Sequence, residues 1–186
     1  MDTVEIKKYE TRAEITESLR VERNLDGADL SSLDLAGIEL AMLSMKGADL
    51  HDSNLSEAKL TCIDISEVDL SNAILNKAVI AGAKLNGTNL RGAQLIGAKM
   101  IGVDLKGADL TGADLSESKM IAVDVTGADF SDVDTTGARS AVKWSSAKVQ
   151  PAELPEEIPL PPPWLPLLFM GIVALIVFLI WRRRRV

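Results

Sequence analysis

The chain has 186 residues, of which 47% are hydrophobic and only 4% aromatic, and its formal net charge at pH 7 is −7. A single cysteine excludes an internal disulfide framework, and a single histidine excludes a site built on several histidines. Residues 21–140 carry 19 Asp and Glu against 10 Lys and Arg, a net charge of −9, which argues against nucleic acid as a partner because phosphate binding needs a basic surface.

The N-terminal segment, residues 1–22, contains no apolar run and therefore shows no secretory signal peptide. Thr11 and Glu14 have the spacing of a capping box, and Ile15 and Leu19 would share one face of the helix that follows. The segment is predicted to form a short helix that covers the start of the next region.

Residues 23–140 show a five-residue period. Every fifth residue from Leu25 to Phe130, 22 positions that we call centres, is Leu, Ile, Met, Val or Phe. The residue two before a centre is usually small, and twelve of the thirteen glycines stand two residues after a centre or, for Gly137, after Thr135, the next position of the period. A helix would scatter these residues round its circumference, and a simple strand would not need a turn every five residues.

This period predicts a solenoid in which each pentapeptide is a short extended stretch followed by a tight turn. Glycine then stands where a type II turn needs a positive φ. Longer phrases return after twenty residues, as KMIGVDL from position 99 returns as KMIAVDV from position 119. Four pentapeptides therefore make one coil, and the region is predicted to be an all-β solenoid of about 5.5 coils at strand spacing.

The repeats also resemble a known family. The units GADL at positions 27, 47, 107 and 112, and GADF at 127, resemble the A(D/N)LXX signature of pentapeptide repeat proteins. The resemblance covers roughly Leu25 to Ala138 and implies a right-handed quadrilateral β-helix. It implies little about activity, because one fold can serve unrelated functions.

The region after the repeats is predicted to close the solenoid and leave it. Trp144 is predicted to plug the open end, because the apolar centres stop at Phe130. Residues 141–163 are predicted to be this cap and a Pro-rich linker. From Pro151 to Pro163 the linker would extend over about 40 Å as a semi-rigid spacer.

The C-terminal end is predicted to cross a membrane. Residues 164–181 contain no charged residue, and as a helix they would match the hydrocarbon thickness of a bilayer. The flanking residues are typical of membrane interfaces, and the basic tail, residues 182–186, follows at once. The predicted anchor residues are Trp164, Trp181, Arg182, Arg183, Arg184 and Arg185.

Two rules disagree about the orientation of this anchor. The positive-inside tendency places the basic C-terminus in the cytoplasm, whereas the repeat region precedes the anchor and has no export signal. We predict a single-pass, C-terminally anchored membrane protein with a cytoplasmic repeat domain. A cell-wall sorting signal is the rival interpretation, but LPEEI lacks the LPXTG pattern.

Because residues twenty apart stack, outward residues form ladders along the solenoid. On one side, lysines flank an aliphatic strip, which favours a protein contact on a solvent-facing surface. The alternative is that β-branched residues only stabilise a flat sheet. The candidate partner-binding residues are Lys59, Val79, Ile96, Lys99, Ile101, Lys119 and Ile121.

The opposite side carries an aspartate ladder, formed by Asp29, Asp49, Asp69, Asp109 and Asp129. The resemblance to family members that inhibit DNA gyrase implies that such a ladder could mimic DNA phosphate. The alternative is that Asp suits local backbone hydrogen bonding in turns. The scarcity of Phe at the centres, in contrast to the gyrase-binding members, favours this second interpretation.

No nucleophile with a nearby base, no phosphate-binding loop and no metal-ligand spacing occurs in the sequence. We therefore predict no enzyme, and no catalytic, cofactor-binding or metal-binding residues. The leading hypothesis is a non-catalytic, membrane-tethered scaffold that binds a protein or a membrane complex. The second is a DNA-mimicking inhibitor, and self-association of the chain stays open.

Overall fold

The computed structural model describes residues 6–159, which form an all-parallel β-solenoid with a short helix near its N-terminus. Within these residues there are one α-helix and seven short strands: α1 (Arg12–Val21), β1 (Glu39–Ala41), β2 (Lys59–Thr61), β3 (Val79–Ala81), β4 (Lys99–Ile101), β5 (Lys119–Ile121), β6 (Arg139–Ala141) and β7 (Glu156–Glu157). The predicted β-solenoid and N-terminal helix are confirmed. The strands β1 to β6 mark six successive turns, slightly more than the predicted 5.5.

The register of the solenoid is twenty residues. Each of β1 to β5 pairs in parallel with the strand twenty residues later, as Lys99 does with Lys119. Three further ladders of single bridges run from Asn24, Asp29 and Asp34 with the same offset. The four ladders stand five residues apart along the chain and give the coil four sides. The right-handed winding that the family resemblance implies stays a prediction.

The centres form the core. All 22 centres from Leu25 to Phe130 are buried, and Leu70 in the middle of the solenoid is 1% exposed. The small residues two before the centres are buried as well, among them Ala73 and Ala93. Each buried centre contributes about 1.5–3 kcal/mol of apolar burial. The core is therefore a stack of thin aliphatic layers rather than one globular cluster.

Every corner of the solenoid requires a left-handed residue. The 22 positions two after a centre, together with Gly137, which stands two after Thr135, all have φ between 51° and 70°. Twelve of them are glycine and eleven are not, including Met42, Cys62 and Ala122. The predicted reason for the glycines is confirmed, and the non-glycine corners each retain a conformation that costs an L-residue about 1–2 kcal/mol.

The N-terminal helix caps the first coil. The Glu14 N–H donates to Thr11 Oγ1 at 3.3 Å, as expected for an N-cap. Ile15 is 1% exposed and packs in the core. Before the helix, Lys8 forms a parallel backbone bridge with Asp29 and so adds one step to the ladder that runs from Asp29. The guanidinium of Arg12 donates to the Ala36 carbonyl at 2.7 Å and covers the next side.

The last coil is closed by an aromatic pair. The rings of Trp144 and Phe130 meet edge to face, with centroids 5.0 Å apart. The indole N–H of Trp144 donates to Ser140 Oγ at 3.0 Å, so the polar centre Ser140 is satisfied under the plug. A 3₁₀ helix, Trp144–Ser146, carries the tryptophan into this position.

The Pro-rich segment differs from the predicted free spacer over residues 150–159. Pro151 and Pro155 are buried, and β7 pairs with β6. The Ile158 N–H donates to the Ser140 carbonyl at 2.8 Å. This docked segment, residues 149–158, seals the backbone edge of the last coil, so a 40 Å spacer starting at Pro151 is wrong.

No helix within residues 6–159 has the length and apolar character needed to cross a membrane. The predicted transmembrane helix, residues 164–181, and the basic tail, residues 182–186, lie outside the described residues.

The corners predict a pair of opposite stability effects. Gly102 (φ 62°) and Ala122 (φ 52°) stand at the same corner in successive coils, and a Cβ added at Gly102 meets nothing within 4 Å. Replacing Ala122→Gly should raise the free energy of unfolding by about 0.5–1 kcal/mol, because relief of the left-handed strain exceeds the added chain entropy. Gly102→Ala should lower it by a similar amount. Urea denaturation of both variants measures this, and a destabilised Ala122→Gly variant would contradict it.

Candidate functional site

One side of the solenoid, which we call the strand face, is formed by the outward residues of β1 to β7. On the other three sides a hydrogen bond commonly closes the corner, as the Ala98 N–H does by donating to the Leu95 carbonyl at 2.9 Å. No such bond closes the corners that follow β1 to β5. The chain stays extended for three residues there, so that each strand presents two outward side chains.

The first outward column of the strand face is basic in its middle. Lys59 Nζ lies 2.6 Å from Glu39 Oε1 in one neighbouring coil. Lys99 and Lys119 are in register on adjacent strands. Within residues 6–159 neither of these two lysines lies within 4.0 Å of a carboxylate oxygen, so the strand face carries two stacked, uncompensated positive charges.

The second outward column is aliphatic beside these lysines. Ile101 and Ile121 are cross-strand neighbours, and Ile101 is 46% exposed. Ile121 and Val79 are half-buried, and Ile96 is half-buried at the corner before β4. All seven predicted partner-binding residues thus lie on the strand face or at its rim. Their role in binding stays a prediction.

The aspartate ladder stacks as predicted, but its carboxylates are engaged in the local backbone. Asp29, Asp109 and Asp129 each accept from the N–H and the hydroxyl of the Ser or Thr two residues later, with the hydroxyl at 2.6 Å. Asp49 and Asp69 accept from the N–H two residues later at 3.1 and 2.9 Å. These contacts are Asx turns, which hold the corners in shape.

Cations also reduce the negative charge of the aspartate ladder. Lys8 lies 3.7 Å from Asp29, Arg91 lies 2.9 Å from Asp109, and Lys148 lies 3.1 Å from Asp129. The hydroxyl and N–H of Ser131, helped by Lys148, lower the pKa of Asp129 to about 2. Cations therefore offset the charge of three of the five carboxylates, which differs from the free row of charges that mimicry of DNA would need.

Other chemistry is sparse in the described part of the chain. Within residues 6–159, no three or more His, Cys, Asp and Glu side chains are grouped so that they could hold a metal ion. The sequence interpretation missed a groove between α1 and β1, whose lining includes Leu19, Arg23 and Met42. The signal for it was Met42, a long apolar side chain at a left-handed corner position, where glycine is favoured.

The repeat pattern matches the family model described as pentapeptide repeats, in eight copies over residues 24–61, 63–100, 73–112 and 98–137. The chain belongs to the pentapeptide repeat family. No curated protein matches it.

Several solved structures resemble this pentapeptide repeat protein. Rfr23 from the cyanobacterium Cyanothece 51142 is 24% identical over 74% of this chain and 98% of its own, with a TM-score of 0.49. A protein from the Arabidopsis thaliana thylakoid lumen is 28% identical over 56% of this chain and 69% of its own, with a TM-score of 0.34. QnrB1, a plasmid-mediated fluoroquinolone resistance protein, is 24% identical over 69% of this chain and 73% of its own, with a TM-score of 0.36. The family assignment rests on the repeat match, and these structures assign no function to this chain.

The lowered pKa of Asp129 predicts acid sensitivity of the fold. A carboxylate whose pKa is lowered on folding stabilises the fold fully above its ordinary pKa of 3.8, and this contribution is lost as the pH falls toward about 2. Asp129→Asn keeps an oxygen that accepts from Ser131 but does not titrate. Urea unfolding measured at several pH values should therefore show a smaller loss of stability below pH 3.8 for Asp129→Asn than for the wild type. Equal losses in the two proteins would contradict the prediction.

Proposed function

We propose that this protein is a non-catalytic, membrane-tethered scaffold that binds a partner protein or membrane complex through the strand face. The observation that carries the proposal is the uncompensated pair Lys99 and Lys119, stacked beside the exposed Ile101 and the half-buried Ile121. Apolar area next to charges that lack a partner is typical of a surface that is covered on binding.

The two lysines support the proposal because their stacking lowers stability. Like charges directly opposite each other on neighbouring strands repel, and cross-strand pairs are worth about 0.2–1 kcal/mol. The neighbouring Lys59 and Arg139 avoid this cost by pairing with Glu39 and Glu156. An acidic patch on a partner would compensate Lys99 and Lys119 in the same way. The proposed partner surface is therefore apolar at its centre and acidic beside it.

The tether part of the proposal rests on the apolar segment at residues 164–181 and on the docked segment before it. Because residues 149–158 pack against the last coil, only residues 159–163 separate the docked segment from the proposed span. Five residues would reach about 16 Å in a polyproline II conformation. The solenoid would stand at the membrane surface, where a membrane complex is within its reach.

The DNA-mimicking alternative gains no support from the geometry. Three of the five carboxylates in the aspartate ladder have a cation within 4 Å, and Asn89 interrupts the ladder between Asp69 and Asp109. We keep the scaffold as the single proposed function.

The strand face predicts a loss of binding when charge is placed on its aliphatic column. The double variant Ile101→Glu and Ile121→Glu should reduce co-purification of the partner from detergent-solubilised membranes at least tenfold, which corresponds to about 1.4 kcal/mol. Two desolvated carboxylates at an apolar contact are unfavourable. Quantitative mass spectrometry of affinity-purified, full-length protein measures the change.

Ile74→Glu is the matched control, because Ile74 is a half-buried outward isoleucine on a different side of the solenoid. The control should retain the proteins that the double variant loses, while circular dichroism shows that both fold. If both variants retain the same proteins, or both lose them, the strand face is not the binding surface.

The proposed orientation can be tested with the single cysteine. Cys62 is exposed, so a membrane-impermeant maleimide should label it on sealed inside-out vesicles without detergent if the repeat domain is cytoplasmic. Cys62→Gly, which suits the φ of 51° at this corner, controls for background labelling. Labelling that requires detergent would place the repeat domain on the other side of the membrane.

A further inference from the structure

The two ends of the solenoid are covered to different extents. At the C-terminal end, β7 continues the sheet beyond β6, and Val149 continues the ladder beyond Asp129. At the N-terminal end, Lys8 covers the Asp29 ladder and Arg12 covers the next side. The strand face receives no such cover from residues 6–159, because the residues that would pair with β1 in the twenty-residue register are 19–21, which end α1.

The outer edge of β1 therefore presents backbone groups without partners. The Lys59 N–H donates to the Ile38 carbonyl and the Met42 N–H to the Thr61 carbonyl, so the N–H groups of Glu39 and Ala41 point away from β2. Within residues 6–159 these two N–H groups have no acceptor. Arg23 reaches the Ala41 carbonyl at 3.4 Å, and nothing else described pairs with this edge.

A groove with a mixed polar and apolar lining lies directly beside the open edge. Its volume is about 330 Å³, and Leu19, Ile38 and Leu40 contribute to its lining between α1 and β1. Met42 at the end of the groove is 66% exposed, and Val21 near the end of α1 is 83% exposed. A row of backbone donors next to aliphatic side chains is the arrangement used for strand addition.

The charge at the groove is positive. Glu39 is paired with Lys59 at 2.6 Å, and Arg20 with Glu17 at 3.3 Å. Arg23 lines the groove and lies within 4.0 Å of no carboxylate oxygen in residues 6–159. The groove therefore favours an occupant with acidic side chains.

We propose that an extended, aliphatic and acidic segment of a partner protein adds to β1 as a further strand and fills this groove. The backbone of the segment pairs with Glu39 and Ala41, one aliphatic side chain packs on Leu19 and Met42, and an acidic side chain meets Arg23. A helix has no free backbone groups to offer to this edge. This proposal is independent of the proposed binding role of the strand face, and either one can be correct without the other.

The test uses a fluorescein-labelled peptide, Glu-Asp-Val-Asp-Leu-Glu, and the full-length protein in detergent micelles. Fluorescence anisotropy should show saturable binding to the wild type. Ala41→Pro removes the outward N–H that the peptide would use, so it should weaken binding at least tenfold. It removes no bond to β2, and proline is tolerated on such an edge, so the fold should be retained. Arg23→Glu should weaken binding to a similar extent. The matched control Ala41→Val keeps the N–H and should retain the affinity.

Three results would overturn the proposal. They are no binding to the wild type, equal affinity of the wild type and Ala41→Pro, and equal affinity for a peptide in which lysine replaces every acidic residue. Circular dichroism melts show whether the proline variant is folded. If it is unfolded, the test uses Arg23→Glu instead, with the amide chemical shifts of Glu39 and Ala41 on peptide addition as the readout. If sedimentation shows that Ala41→Pro dissociates an oligomer of the chain itself, the edge holds a second copy and the partner peptide is excluded.

Discussion

The hydrogen bonds between successive coils determine everything else in this fold. Centres along the solenoid donate their N–H to the carbonyl nineteen residues later, as Leu50 does to Asp69 at 2.7 Å and Leu90 to Asp109 at 2.7 Å. This pairing fixes the register at twenty residues, because a shorter or longer coil would separate the donors from their acceptors. It also fixes which side chains stack outside. The charge of Lys99 is next to that of Lys119 because the backbone requires it.

The same pairing explains why the corners tolerate unfavourable residues. A left-handed corner is retained at Met42, Cys62 and Ala122, although each costs about 1–2 kcal/mol compared with a relaxed conformation. The backbone hydrogen bonds to the coils above and below fix the conformation of the chain at these corners. Strain of this kind persists only where the surroundings over-determine the conformation. A non-glycine corner is therefore informative, and Met42, which is 66% exposed, stands at the open edge of β1.

The five-residue period was enough to predict the coil, its core and the residues that stack, because each of these follows from the register alone. It could not predict the docked segment, residues 149–158. Glu156 pairs with Arg139 at an offset of seventeen residues rather than twenty, so the pairing breaks the period, and proline is equally compatible with a free spacer and with an extended edge segment. The groove at β1 was missed for a related reason: the period does not say where α1 lies across the first coil.

Function in such a fold has to be sought where outward residues depart from their structural task. On three sides, the residue before a centre is mostly Asp or Asn, and it caps the corner by accepting from the N–H two residues later, as Asp109 and Asp129 do. On the strand face no such contact is made, and the corresponding positions hold Lys99 and Lys119, with isoleucine in place of the usual Ser or Thr after the centre. These side chains neither close corners nor fill the core. Their uncompensated charge and the exposure of Ile101 are the reasons why we propose that this face contacts a partner.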